Sequence, residues 1–506
     1  MGKNTQRVDQ PSAARRNFLK HVAVTGAAAG ASVGLPVLPA LAQEKAERPW
    51  STLASGEVPL AETLAHYAVN LKYEDLPPEV SRTAKRIVLD TLGCAIGGYS
   101  AGPSQIAIKL ASQVGGNPGA TVLCRGIKTS PDRAVFANGV MIRYLDFNDG
   151  YISLTSGHPS DTVGSLLTPC ELMGRSGRDL ITATVLTYEV FTKIMDVFDV
   201  GGLGLDQSTI TGLAATVGAG KLMGLTEQQM VQAIGIYVGG NTAINQGRVG
   251  TLSNWKTYAS AEACRKATFI VQLAQAGMTG PEQVYEGRDG FFNVISQKPF
   301  KIAKLGESYG ILHAFTKRFS LGQYSQTVAQ AAVESRKFFK DPSEIQEVNI
   351  RVSHKAISVM ADSPDKWHPQ THETADHSMP YAAGVALMYG VVEDQYYEDP
   401  YLHDPRLLDL VSRIKIIPSE EADQHLREYN LCNLEIVTKS GQRNSVRVDY
   451  HRGHYKNPMT DAEMEEKFRL LARRQLSTAK IDALLKQLWA LEDLPKVGPL
   501  IEMTRI

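Results

Sequence analysis

Apolar residues recur at helical spacing from about Leu60 to Gln297. Between Arg82 and Ile96, the residues Ala84, Ile87, Val88, Leu92 and Ala95 share one face, while Arg82, Lys85 and Arg86 take the other. Pro77-Pro78 stands just before this run, as at a helix entry. The same period runs through Asp179–Val197, Gly212–Met223, Gln228–Val238 and Ser260–Ala276, which predicts long, Ala/Gly-rich helices that pack closely. After about Ile311 the period changes. Val348-Asn349-Ile350-Arg351-Val352 alternates, Ile414-Lys415-Ile416 ends at Pro418, and Leu434-Glu435-Ile436 and Val446-Arg447-Val448 flank a hairpin-like Ser440-Gly441 turn. Helical signal resumes at the capping box Thr460-Asp461-Ala462-Glu463, which opens an amphipathic run through Phe468, Leu471 and Ala472. The pattern predicts a mostly α protein. A large helical domain spans residues 50–310, a smaller α+β domain spans 311–450, and C-terminal helices occupy 451–506.

A chain of 506 residues is long enough for two cores. Lys plus Arg and Asp plus Glu are both 53, so no net basic field draws it to nucleic acid or anionic lipid, and any anion site must be local. The first 42 residues differ in kind. Ala14-Arg15-Arg16-Asn17-Phe18-Leu19-Lys20 precedes a mild Ala/Gly/Val run that ends in Ala40-Leu41-Ala42, a small-residue cleavage pattern. The segment resembles a twin-arginine export signal over residues 1–42, and its run is too interrupted and too weakly apolar for a membrane span. The expectation is a periplasmic protein with no stable membrane insertion once the signal is removed. Removal leaves 48 basic against 52 acidic residues. Cys94, Cys124, Cys170, Cys264 and Cys432 are widely spaced, with no C-x-x-C. They form neither a disulfide framework nor a good iron–sulfur ligand set.

Candidate chemistry concentrates in residues 145–161, where Asp146, Asp149, His158 and Asp161 sit in one irregular segment between two apolar helical runs. Gly150, Gly157 and Pro159 keep this backbone out of regular helix. The histidine supplies a base that titrates near neutral pH and the aspartates can orient it. A plain polar surface loop is the alternative reading of the segment taken by itself.

Leu145-Asp146-Phe147-Asn148-Asp149 followed by Gly157-His158-Pro159-Ser160-Asp161 resembles the signature of the MmgE/PrpD family, which includes 2-methylcitrate dehydratase and cis-aconitate decarboxylase. The step from Asp146 to His158 is most like the dehydratase branch. Ser253-Asn254-Trp255-Lys256, Glu286 to Phe292, Lys317-Arg318-Phe319 and Thr374 to Tyr381 extend the resemblance over nearly all of the chain after the signal. It implies a discontinuous helical domain to which the C-terminal helices return, with a smaller α+β lid and a cleft site between the two. It also implies a homodimer and a lyase without cofactor or metal, acting on a small polycarboxylate. The expected reaction is dehydration of a 2-methylcitrate-like hydroxy-acid. In that reading His158 is the general base, Asp146 orients it, Lys256 and Lys317 hold carboxylates, and Tyr381 assists the leaving hydroxyl. Asp149, Gln207, Arg288, Arg318, Tyr324 and His377 complete the expected substrate contacts. Decarboxylation of a cis-aconitate-like acid, epimerisation of an amino-dicarboxylate, and non-catalytic periplasmic binding of a polycarboxylate stay open as alternatives.

The chain departs from the family pattern at four positions around the expected cleft. Gly150 stands where Thr is common, Gln207 and Tyr324 where His is usual, and Ser320 where Pro usually follows Phe. Three other motifs carry no chemistry. Gly30 to Gly34 spells a nucleophile elbow with no strand before it. Gly218-Ala219-Gly220-Lys221 lacks the phosphate-loop spacing, and close helix packing explains its glycines better. His368, His372 and His377 have a metal-like spacing, but Pro369 argues against one helix presenting the first two.

Overall fold

The computed structural model describes residues 50–506; the expected export signal at 1–42 lies outside the described residues. Nine principal helices build the larger part: α1 (Leu60–Asn70), α2 (Pro78–Gly97), α3 (Gly102–Ala111), α4 (Pro131–Tyr144), α5 (Val163–Leu172), α6 (Gly177–Met195), α7 (Ser208–Met223), α8 (Glu227–Gly240) and α9 (Trp255–Gln275). Their starts carry the expected signals. Pro78 and Pro131 occupy first turns, and Ser176 and Thr226 close capping boxes with Asp179 and Gln229. Helix α6 is buried on nearly every side, because α2, α5 and α7 all pack on it. One hydrophobic core runs from Leu60 to Ile311 and is rejoined by residues Met459 to Ile501.

The buried residues of a second core run from Leu321 to Val448, with Ile152 and Phe319 packed against them. This core lies around helix α10 (Gln326–Ser335) and a four-stranded sheet of β1 (Ile345–Val352), β2 (Ile414–Pro418), β3 (Cys432–Thr438) and β4 (Arg443–Val448), in the order β2-β1-β3-β4. Strands β1 and β2 run parallel, joined by a crossover that contains helix α11 (Met379–Tyr389). The β1–β3 and β3–β4 pairs are antiparallel, and Gly441 takes φ +85° in the β3–β4 turn. Along β3, Cys432, Leu434, Ile436 and Thr438 point inward in strict alternation. The chain then returns to the first core through α12 (Asp461–Ala472), whose N-cap Thr460 accepts from the Glu463 N–H, and α13 (Thr478–Trp489). Helix α12 packs against α2. The molecule is thus mostly α with a smaller α+β region. All five cysteines are buried free thiols. Among the described residues no helix is long and apolar enough to cross a membrane.

The glycines of α7 are contact residues between helices. A Cβ at Gly218 would lie 2.8 Å from Leu166 Cδ2 and closer still to Thr187 Cγ2, and one at Gly220 would lie 2.9 Å from Met230 Cε. Gly218→Ala is therefore expected to lower unfolding free energy by about 1–3 kcal/mol through overpacking. Urea unfolding measures this, and an unchanged midpoint would contradict close packing at α7.

Candidate active site

Helix α4 ends at Tyr144, and the next residues change direction abruptly because Asp146 adopts a left-handed backbone, φ +45°. Aspartate tolerates that region better than most side chains, yet it still needs support. The support comes from outside the segment. Ser320 Oγ donates to Leu145 O at 2.5 Å, Lys317 Nζ to Asp146 O at 2.8 Å and Lys467 Nζ to Phe147 O at 2.7 Å. Gly150 and Phe315 exchange backbone hydrogen bonds at 2.9 Å in both directions. Asn148 Nδ2 donates to Ser160 Oγ and Asp161 Oδ1, both at 2.8 Å, tying the first half of the segment to the second.

Asp146 is fully buried, and its carboxylate is met by four groups. Arg143, three residues back in the last turn of α4, donates to Oδ1. Lys317 Nζ lies 2.6 Å from Oδ1, Lys256 Nζ 3.8 Å from Oδ2, and His377 Nδ1 3.2 Å from Oδ2. Burial by itself would raise the Asp146 pKa, but Arg143, Lys317, Lys256 and His377 together hold it well below the usual carboxylate range. A second buried acid, Asp376, takes Lys256 Nζ at 2.6 and 2.5 Å and His377 Nδ1 at 2.7 Å. Asp161 Oδ2 lies 3.8 Å from Arg143 Nε. Three cations thus face three carboxylates in one desolvated knot. Lys317, lowered by burial against the pull of Asp146, falls to about 8.

His158 sits beside this knot. Its Nδ1 lies 2.6 Å from the carbonyl oxygen of Asp149, which can only accept, so Nδ1 carries the proton and Nε2 keeps its lone pair. Nε2 is 3.9 Å from Asp146 Oδ1. Burial, followed by the nearby Arg143 and Lys317 charges, lowers the His158 pKa well below 6.5, so the ring is a neutral base at pH 7. His377 is lowered to about 4, first by burial and then by Lys256, against the pull of Asp146 and Asp376. Behind His158 the Asp149 carboxyl accepts from Tyr188 Oη and from Ser160 N, and burial raises it to about 7. A cavity of about 120 Å³ opens against His158, His377, Arg143, Gln207 and Tyr324. Arg248, paired with Asp206 at 2.7 Å, and Lys355 complete its charged wall. Lys355 has no carboxylate within ion-pair distance among the described residues.

The expected residues divide into two groups. His158, Asp146, Asp149, Lys256, Lys317, Gln207, Tyr324 and His377 come together. Lys256 and Lys317, however, differ from expectation in their partners. Both ammonium groups are fully buried on Asp376 and Asp146, and neither lines the cavity, so in this arrangement they balance buried acids instead of presenting a free charge. Tyr381 is not brought to the site. It lies in the smaller core, its hydroxyl donating to Tyr396 O at 2.8 Å, because Ser378 caps α11 and turns that face inward. Arg288 is also elsewhere, half-exposed, with its guanidinium 4.4 Å from the Trp50 ring centre and paired with Asp289. Arg318 points the opposite way from its neighbour Lys317, into a groove it shares with Phe147 and Glu466.

Sequence reasoning missed Arg143, Asp376, Arg248 and Lys355. The spacing of Arg143 three residues before Asp146 is a helix-end ion-pair signal that could have found it. The adjacency of Asp376 to His377 was a weaker one.

Asp146, Asp376 and His377 place three donor atoms within 4.8 Å of one another, the kind of set that could hold a cation. Lys256 and Lys317 already occupy the near side of both carboxylates. The histidine triplet does not gather. His368 is exposed, and His372 is bonded to Glu398 at 2.9 Å and stacked 4.6 Å from Tyr144.

Each of the four departures has its own surroundings. A Cβ at Gly150 would meet Gln323 Oε1 at 2.5 Å and Phe315 Cε2 at 2.7 Å, so that wall has no room for a side chain. Ser320 supplies the hydroxyl that holds Leu145 O. Gln207 donates to Ser260 Oγ at 2.8 Å and accepts from the His158 N–H at 3.4 Å, and a Cβ at Gly157 would lie 2.9 Å from Gln207 Oε1. Tyr324, raised to about 12 by burial, lines the cavity as a neutral phenol.

Helical and α+β parts meeting at a buried acid–base knot define the class, and comparison with known proteins gives its family. Residues 62–303 match the MmgE/PrpD N-terminal domain and residues 319–491 the MmgE/PrpD C-terminal domain. The chain belongs to the MmgE/PrpD family. It is 26% identical over 456 residues to the 2-methylcitrate dehydratase of Escherichia coli (strain K12), covering 84% of this chain and 92% of that protein. It is 26% identical over 457 residues to the cis-aconitate decarboxylase of Homo sapiens, covering 86% and 92%. An alkylcitrate dehydratase from a fungal species is 25% identical over 458 residues, covering 83% and 88%. Dehydratases and decarboxylases are both lyases, and this likeness supports a lyase-type enzyme.

The buried histidines make stability depend on pH with a definite sign. In the unfolded chain His158 and His377 take protons near pH 6.5, whereas the folded protein binds them only at much lower pH, at about 4 for His377. Their contribution is therefore intact above pH 6.5 and is lost as pH falls through that window. Asp149, raised to about 7, acts in the opposite sense and loses stability as pH rises towards that value. His377→Gln is expected to flatten the fall in urea midpoint between about pH 6.5 and 4. An unchanged slope would show that His377 is not held neutral.

Proposed function

We propose that the protein is a lyase that removes water from a 2-methylcitrate-like hydroxy-tricarboxylate to give an unsaturated acid, with no resident metal. The observation that carries this reading is the tautomer of His158, a neutral imidazole with Nδ1 fixed on Asp149 O and Nε2 left as a base beside a cation-walled cavity. Arg143, Arg248 and Lys355 supply the wall that meets substrate carboxylates, each charge-assisted bond being worth roughly 1.5–3 kcal/mol. His158 Nε2 takes the proton beside a carboxylate as negative charge builds towards the cationic wall. The imidazolium so formed is a strong acid in this buried, cationic setting and returns its proton to the departing hydroxyl. One C–H and one C–O bond break, a C=C bond forms and water leaves, with the histidine restored. Lys256 and Lys317 keep Asp146 and Asp376 ionised and in place, the role a metal would otherwise fill.

Decarboxylation of a cis-aconitate-like acid is the second reading, favoured by the human relative's equal identity. It shares the anion wall but needs a protonated donor where His158 stands neutral. We further propose that the mature chain works as a homodimer outside the cytoplasm, supported by the family likeness and by the Arg15-Arg16 export pattern.

Purified protein incubated with 2-methylcitrate, citrate or cis-aconitate, with and without a chelator, tests the reaction by the ultraviolet absorbance of the new double bond and by product mass. The expected result is chelator-resistant formation of an unsaturated acid from 2-methylcitrate. His158→Gln should lower kcat about 100- to 10,000-fold while leaving substrate binding within a few-fold. Undiminished turnover in that variant would exclude His158 as the base.

A further inference from the structure

The C-terminal helix α12 reaches into the catalytic segment through one buried side chain. Lys467, about 4% exposed, donates to the carbonyl oxygen of Phe147 at 2.7 Å, across 320 residues of sequence. Its ammonium also lies 4.1 Å from the Phe147 ring centre and 2.7 Å from Oδ1 of Asp90, a buried acid on α2. Phe147 lies between two of the site's acids. Asp146 precedes it in a left-handed conformation, and Asp149 follows, its carbonyl fixing the tautomer of His158. Three consecutive carbonyls of the turn, at 145, 146 and 147, are held by side chains from outside it. Ser320 and Lys317, in the stretch that leads into the smaller core, hold the first two; only the third is held from the C-terminal helix. A buried lysine–aspartate pair is costly to desolvate and is a poor source of stability compared with apolar packing. Its placement on this carbonyl gives it a positional role.

We propose that Asp90 and Lys467 are positioning residues for the reaction, which hold the Asp146–Asp149 turn in register with His158 through the Phe147 carbonyl. Neither touches the cavity, and neither exchanges a proton with substrate. The inference rests on the reading of His158 as the reacting base, with Asp146 as the ionised acid beside it. It gives the return of the C-terminal helices a catalytic purpose besides closing the larger core.

The test compares the wild-type protein with Lys467→Arg and with the double variant Asp90→Asn/Lys467→Met, which removes both charges together and leaves no unpaired buried ion. Two readouts are taken: kcat and KM with 2-methylcitrate, and the His158 Cε1–H NMR resonance, assigned by its loss in His158→Gln. The double variant is expected to unfold cooperatively and to keep KM within about twofold, while kcat falls on the order of 100-fold, the scale of a misplaced reacting group. Its His158 resonance should shift, and Lys467→Arg should recover most of the activity and the original resonance. Wild-type kcat together with an unmoved resonance in the double variant overturns the proposal. So does a rise in KM with kcat unchanged, which would make the pair part of binding. If the double variant fails to fold, the single variant Asp90→Asn, which keeps the lysine and removes its charged anchor, decides: a displaced resonance and lowered kcat support positioning, and wild-type values for both overturn it. If the wild-type protein turns over none of the acids tested, the functional reading falls on its own, and the resonance arm still decides whether the pair positions His158.

Discussion

A carboxylate taken wholly out of water is tolerated only where fixed positive charge replaces its hydration, and Asp146 is the point at which this protein meets that demand. Arg143 comes from the helix before it, Lys256 from the start of α9, Lys317 from the stretch leading into the smaller core, and His377 from the crossover that precedes α11. Each of the three charged groups is useful only if the others are present, since removing one would leave an unbalanced buried charge, whereas His377, neutral at pH 7, adds contact without charge. The two cores are therefore joined electrostatically at the site as well as by packing. The strained backbone at Asp146 is affordable in the same terms, because the surrounding groups over-determine it.

This constraint changes the meaning of the two lysines. Read from sequence they are free cations waiting for substrate; in the folded chain they neutralise Asp146 and Asp376 and leave the anion wall to Arg143, Arg248 and Lys355. The site is close to neutral before substrate arrives, and His158, lowered by burial and by neighbouring cations, is a base without competing for a proton at pH 7. Of the four residues that depart from the family pattern, Gln207 and Tyr324 line the cavity itself, while Gly150 and Ser320 support the turn behind it.

Much of the architecture was legible because it is written in local periodicity. The helical runs from α2 to α9, the alternation in β3, the Gly441 turn and the Thr460 capping box all follow from spacing and capping chemistry, whereas in the central strand β1 Asn349 is buried against the alternation read from sequence. The heart of the site was legible too, because Asp146, His158, Lys256, Lys317 and His377 lie in recognisable motifs. What could not be read was direction. Lys317 and Arg318 are chain neighbours that face opposite ways, and Tyr381 sits four residues beyond His377 yet turns into the smaller core. Arg143, absent from the sequence reading, meets Asp146 at the left-handed turn that follows its helix. Such orientations depend on tertiary packing, which no short window of sequence contains.

The site depends on Asp146 remaining ionised inside the protein, and its side-chain carboxyl ¹³C resonance, followed as pH is lowered, tests that directly. The result required is a carboxylate that stays ionised well below the ordinary aspartate value of about 3.9 for as long as the fold persists. Titration of Asp146 at or above that value would mean that the surrounding cations do not balance it, and the electrostatic knot proposed as the basis of the site would not exist.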